Sequence, residues 1–309
     1  MVLLNIIGYA LDVHFGELNN KHVYHKANWV FKKKGEKIDY VVLGSSRAYN
    51  VIDINTIDLA TSLNGLNLGE SGAAYAEAYI LLEHFLRENQ TKLVVLCLDY
   101  PSLNSAESFS YPFKEYAFLP QFEEDSVEPV FADLLPAYKF WMYKFVKASK
   151  YIEFNTKYPI YDNLLAYGQE EKYELQEITK GSKLVNKNQR VEGFKTEGVE
   201  KVDGKVKFNE SDLKYLSKIV HLCRSKNIKL LGYSAPIFTE LYEARGYENI
   251  NNQIALLAKN LKLDWADYSA IGLSSKKNYF ADYSHLNKEG AEIFSKILGK
   301  GIGKKLKSD

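Results

Sequence analysis

Short apolar runs alternate with longer segments of helical period along most of the chain. Ile38–Leu43 is apolar apart from Asp39 and Tyr40 and rich in Val, the composition of a buried parallel strand. Gly65–Leu68, Leu93–Leu98, Ile228–Ser234 and Leu263–Ala266 read as further strands, and Pro236 ends the Ile228 run. Between them lie amphipathic segments. Ile54–Leu63 follows Asp53. Ala73–Arg87 puts Ala74, Ala78, Leu81, Leu82 and Phe85 on one face. Leu213–Ser225 follows Asn209 or Ser211 as cap, and Ile250–Leu261 comes next. Gly290–Leu298 follows Asn287, which is placed to cap it. Strand–helix alternation of this kind predicts an α/β protein, a three-layer α/β/α sandwich around a parallel sheet of about five strands.

Residues 101–208 break the rhythm. Six of the seven prolines fall between Pro101 and Pro159. Aromatics crowd Phe109 to Tyr167, among them Tyr111, Phe113, Tyr116, Phe118, Phe131, Tyr138, Phe140, Trp141, Tyr143 and Phe145. The region Ala132–Tyr151 has helical character, and Gly181–Gly204 turns polar, with Gly193 and Gly198 inside it. The chain therefore divides into an N-terminal segment (1–37), a core (38–100 and 209–305) and a largely helical, aromatic-rich insertion or cap (101–208). Aromatic faces suit sugar rings, so the insertion could shape a cleft. The plainer expectation is that most of these rings form the insertion's own small core.

Composition narrows the field. A chain of 309 residues with 46% hydrophobic residues and net charge +1 is long enough for a substantial core. It gives no charge-based reason to expect a nucleic-acid partner. The basic tail Lys300–Lys307 reads as a solvated terminus. Cys97 and Cys223 sit in apolar contexts as core residues, without a disulfide framework. His22-x-x-His25 and His221-x-Cys223 lack further ligands nearby, so no metal and no cofactor is expected. Val2–Leu11 is apolar apart from Asn5. At about half the length that spans a bilayer, it is either the remnant of a membrane anchor or a short helix packed on the domain. The first alternative implies an extracytoplasmic, membrane-associated protein and the second leaves a cytoplasmic one open.

Two segments hold the candidate chemistry. Gly44 ends the first strand, and Ser45, Ser46 and Arg47 follow it at the strand-to-loop junction, where open parallel sheets bind ligands. Near the other end, Asp282 and His285 occupy the loop before the last helix. Their spacing lets the carboxylate reach the imidazole, fix its tautomer and leave the other ring nitrogen for a serine. A hydroxyl, a base and a carboxylate are the parts of a nucleophilic acyl-transfer site.

These segments resemble blocks of the SGNH, or GDSL-like, hydrolase superfamily, whose flavodoxin-like sandwich matches the expected fold. Gly44-Ser45-Ser46 is similar to the first block, with Ser46 in the nucleophile position and Ser45 where the name-giving Asp often stands. Asp282-x-x-His285-Leu286-Asn287-x-x-Gly290 resembles the last block and is the more specific match. Leu66-Asn67-Leu68-Gly69-Glu70-Ser71-Gly72 resembles the second, in which Gly72 would give a backbone N–H to an oxyanion hole. The third block departs. Where the family carries an Asn donor, this chain has Asp99-Tyr100-Pro101. An ionised Asp99 would repel an oxyanion, so the resemblance leaves the Tyr100 hydroxyl, Asn104 or two backbone donors alone for that task. The Gly-Ser-Ser-Arg form looks like a branch that includes membrane-anchored bacterial proteins of cell-envelope glycan modification; alginate O-acetyltransferase-like proteins have a similar core. The likeness covers residues 38–100 and 209–300.

Three functions follow from the resemblance. One is a serine esterase for a small-molecule or glycan ester. The second is an O-acyltransferase using the same triad. The third is an inactive glycan-binding relative. Arg47 either binds an anionic group of the substrate or pairs with a local acid.

Overall fold

The computed structural model describes residues 1–17, 24–108, 113–152, 173–186 and 198–308. Phe109, Tyr111, His22, Gly193 and the aromatics beyond Ile152 as far as Tyr167 lie outside the described residues.

Five strands form one sheet: β1 (Lys37–Leu43), β2 (Gly65–Asn67), β3 (Gln90–Cys97), β4 (Lys229–Ser234) and β5 (Asp264–Asp267). Their order is β2-β1-β3-β4-β5, and every neighbouring pair is parallel. Strand side chains alternate between faces, and the burial follows that period. Val41, Leu43, Val94 and Leu96 join one apolar cluster, with Leu81, Phe85, Leu216 and Ile219 from the helices Tyr75–Glu88 and Glu210–Ser225. Tyr40, Val42, Leu93 and Val95 join the other, with Ile54, Ile57, Phe294 and Leu298 from the helices Ile54–Thr61 and Lys288–Lys307. Two helical layers thus enclose a parallel sheet, which is the expected sandwich.

Several boundaries move. Asn209 is the cap of its helix: its side chain accepts from the Ser211 and Asp212 N–H groups. The region Ala132–Tyr151 is broken into Glu128–Leu134, Ala137–Phe145 and Ser149–Ile152, with Pro136 at the first break. The last helix runs to Lys307, so the basic tail is helical and its lysines sit in the last turns, where they complement the helix dipole.

The stretch 113–152 packs onto the first cluster. Tyr116, Phe118, Phe122, Phe131, Phe140 and Tyr143 are buried there, with Phe15 of the N-terminal helix Val2–Glu17. That helix docks through Gly8, against Lys147 and Ala148, and through Asp12, which accepts from Lys150 (2.7 Å). Its first turns, from Met1 to Ile7, hold exposed Leu and Ile side chains. Among the described residues no helix is long and apolar enough to cross a membrane.

Candidate active site

β1 delivers the serine pair to the carboxyl edge of the sheet. Gly44 turns the chain at φ 143°, and a Cβ there would stand 2.6 Å from the Cys97 Cβ, so only glycine lets β1 end this close to β3. Ser45 then caps the short helix Ser46–Tyr49, its hydroxyl accepting from the Arg47 N–H (3.3 Å). Ser46 is the first helical residue. Its N–H has no hydrogen-bond partner among the described residues, as expected for a helix start.

The second segment is a closed loop. Phe280 bridges Leu286, and the Ala281 N–H donates to the His285 carbonyl (2.9 Å). Asp282 organises the interior: its Oδ1 accepts from the backbone N–H groups of Ser284 (2.8 Å) and His285 (2.9 Å). Asn287 caps the following helix through the Gly290 N–H. Gly290 lies so close to the Tyr279 carbonyl that a Cβ would come within 2.3 Å of it, which fixes glycine at that place in the motif.

From these two loops, 239 residues apart, the structure assembles one hydrogen-bonded series. The Ser46 hydroxyl meets His285 Nε2 at 2.7 Å. His285 Nδ1 faces both Asp282 oxygens at 2.9 Å, which assigns the ring proton to Nδ1. Burial alone would raise the Asp282 carboxyl; hydrogen bonding and charge attraction from His285, with the Ser284 N–H and hydroxyl, bring it down to about 2. Ser284, which sequence reasoning passed over, donates its hydroxyl to Asp282 (3.1 Å) and lies 3.1 Å from His285 Nδ1. Its place beside the histidine was the available signal.

Gly72 sits in the turn before the helix Tyr75–Glu88, and its N–H has no hydrogen-bond partner among the described residues. Two ties hold this turn beside the serine. The Glu70 N–H donates to the Gly44 carbonyl (3.0 Å). Asn67, buried in β2, donates to the Ala48 carbonyl (2.9 Å) and accepts from the Gly69 N–H (2.9 Å). A polar residue inside an apolar strand was the sequence signal for Asn67. Lys114 of the insertion reaches the same turn, donating to Ser71 (2.6 Å) and pairing with Glu70 (3.1 Å).

The remaining predicted residues face inward. Asp99 is 4% exposed. Its Oδ1 accepts from the Ser102 N–H (2.9 Å) and its Oδ2 from the Ser45 hydroxyl (2.8 Å), with Arg47 Nε 3.7 Å away. The carboxylate that would repel an oxyanion therefore has its charge met within the wall. Arg47 is buried as well. Its Nη1 donates to the Ser284 carbonyl (2.6 Å) and its Nη2 to the Ala235 carbonyl (2.5 Å), so its guanidinium is taken up by the protein rather than offered to a ligand. Tyr100 and Asn104 are buried and bonded to each other (3.2 Å); no hydrogen bond brings either to Ser46. Among the described residues no group of His, Cys, Asp and Glu could hold a metal ion.

No family model matches the chain, and no curated protein matches it. Solved structures do. A candidate lipolytic protein of the G-D-S-L family from Desulfitobacterium hafniense aligns over 85% of this chain and 98% of its own at 8% identity, TM-score 0.41. A candidate acylhydrolase from Bacteroides fragilis aligns over 94% and 98% at 10% identity, TM-score 0.40. A GDSL-like lipase from Bacteroides thetaiotaomicron aligns over 87% and 88% at 12% identity, TM-score 0.40.

Proposed function

We propose that this protein is a serine esterase of the SGNH type that removes O-acetyl or other O-acyl groups from a carbohydrate through an acyl-enzyme. The observation that carries the reading is the Ser46–His285–Asp282 series, with bonds of 2.7 and 2.9 Å. Ser46 Oγ attacks the ester carbonyl carbon while His285 Nε2 takes its proton. Asp282, ionised, steadies the imidazolium through Nδ1–H. The oxyanion accepts from the Ser46 and Gly72 N–H groups, which are uncommitted among the described residues. Collapse of the intermediate expels the alcohol, which leaves with the proton from Nε2. Water, deprotonated by the same nitrogen, then releases the acid and restores Ser46.

The engaged state of Asp99 supports an active site over an inactive relative, because its charge is answered by Ser45, Ser102 and Arg47. The carbohydrate substrate rests on the Gly-Ser-Ser-Arg resemblance. If a sugar hydroxyl replaces water in the second step, the same site is an O-acyltransferase.

The test is incubation with an activated acetyl ester and a fluorophosphonate, followed by intact-mass and peptide analysis. Acetyl and phosphonyl adducts are expected on Ser46, with partition of the acetyl group between water and added sugar separating hydrolase from transferase. Adducts on Ser45, or none on the folded protein, would sink the reading.

A further inference from the structure

We infer that Arg47, with Asp99 as its counter-ion, is a positioning residue that sets the Ser46–His285 distance. The inference rests on the esterase reading above. It begins from how little else joins the two halves of the site. Among the described residues, two hydrogen bonds connect the turn 44–49 with the loop 281–286. One is the Ser46–His285 bond itself. The other runs from Arg47 Nη1 to the Ser284 carbonyl at 2.6 Å. Arg47 follows Ser46 in the chain, and Ser284 precedes His285. The guanidinium therefore holds the backbone on either side of the reacting pair at a fixed separation.

The same group reaches a third loop. Nη2 donates to the carbonyls of Ala235 (2.5 Å) and Pro236 (3.4 Å), just beyond β4. A planar fork with fixed angles can satisfy acceptors on separate loops at once; a lysine ammonium has no such geometry. A cation this deeply buried also needs an opposite charge nearby. Asp99, just beyond β3, supplies it at 3.7 Å from Nε. Nε itself has no hydrogen-bond partner among the described residues, so the two groups are coupled by charge. Ser45 and the Ser102 N–H hold the carboxylate in place from the other side. The acid at the third-block position thus belongs to the support of the base. It orients Arg47, and Arg47 orients the Ser284–His285 backbone toward Ser46.

Two accounts of Asp99 give opposite outcomes for Asp99→Asn. If the residue stood where an amide should donate to the oxyanion, Asn would raise kcat. As the counter-ion of Arg47, its neutralisation lowers kcat, on the order of 100-fold for a displaced reacting pair, with KM little changed. Arg47→Lys should show the same split, and the double variant should be no worse than the more damaged single variant. Fluorophosphonate labelling of Ser46 should slow in parallel, while thermal melting reports folding. A rise in kcat for Asp99→Asn, or a change confined to KM, overturns the proposal. If Asp99→Asn does not fold, Ser45→Ala keeps both charges and removes one bond from the carboxylate, together with the weaker cap bond to the Arg47 N–H. A several-fold fall in kcat is expected for it, and unchanged kcat counts against the proposal. Wild-type protein that neither hydrolyses esters nor labels would remove the esterase reading alone. Nitrogen NMR of the His285 ring then decides the positioning claim. Nε2 should lose its hydrogen-bonded shift in Asp99→Asn while Nδ1 keeps its own, and an unmoved Nε2 overturns it.

Discussion

At the carboxyl edge of the sheet, Ser45, Arg47 and Asp99 are buried and each makes hydrogen bonds within the protein. On the helix Ala137–Phe145, large apolar side chains stand in solvent. Ser45, Arg47 and Asp99 are 2–4% exposed, whereas Tyr138, Trp141 and Phe145 are 50–74% exposed. In the first region hydrogen-bond geometry fixes where each group sits, because an unanswered buried polar atom is costly. In the second, only the half of the helix that carries Phe140 and Tyr143 is used for packing. One region is built for position and the other for attachment, with a surplus of apolar surface. Substitutions in the two should therefore fail in different ways.

The largest effects belong to the edge. Ser46→Ala and His285→Ala should each remove nearly all esterase activity, on the order of 10⁴- to 10⁶-fold, and the double variant should lose little more, since the groups act as a unit. Folding should be retained. Assay of both singles and the double with an activated ester checks this; additive losses would mean that the two residues act separately.

Asp282→Asn should follow, at up to about 10⁴-fold, because the wrong tautomer is then favoured. Its pH behaviour sharpens the contrast. The folded Asp282 carboxyl is depressed to about 2. Its contribution to stability is therefore present above the ordinary carboxylate range and is lost as pH falls through that value toward 2. Melting of wild type against Asp282→Asn as a function of pH measures this. A stability difference already gone well above pH 4 would show that the carboxylate is not held.

These two segments were legible because each motif is local. The spacing of Asp282 and His285 suffices to bring carboxylate to imidazole, and Gly44-Ser45-Ser46 states its own turn. The alternation of apolar runs likewise gave the sheet and its two helical layers. The support of the site was harder to read. Arg47 is received by the carbonyls of Ala235, Pro236 and Ser284, and a carbonyl leaves no mark in a sequence. The true end of the last helix was hidden for another reason. Glycines at 299, 301 and 303 weaken a helix, yet Ile302 remains buried on the core face, and Gly299 sits so close to the helix Ile54–Thr61 that a Cβ there would stand 3.4 Å from Ile57 and Thr61. Tertiary packing there outweighs propensity.

Within the insertion the effect should be on stability alone. Phe131 is fully buried, edge-on to Phe113 and Phe122 at 5.3 Å. Phe131→Ala should cost about 3–5 kcal/mol, the usual range for an emptied aromatic site. Activity per folded molecule should be unchanged, read by denaturant unfolding beside active-site titration. A large fall in kcat at full occupancy would tie this core to the chemistry and break the division between the two regions.

The smallest effect is expected where the rings are exposed. Trp141 and Phe145 stack on each other at 5.5 Å, and each keeps half or more of its surface in solvent. Each ring is only about half covered, so Trp141→Ser with Phe145→Ser should cost less stability than Phe131→Ala, on the order of 1 kcal/mol. Hydrolysis of a small activated ester should also be unchanged, because among the described residues no bond links this helix to the turn that carries Ser46; Lys114, outside the helix, reaches the turn beside Gly72. A polymeric substrate gives the pair its one route to function. If KM for an O-acetylated polysaccharide rises in the double variant while the small ester is processed as before, the exposed rings hold substrate beyond the reacting ester, and the apolar surplus of the insertion has a use that packing does not supply. If neither substrate responds, the insertion contributes structure through its buried rings and nothing through these two.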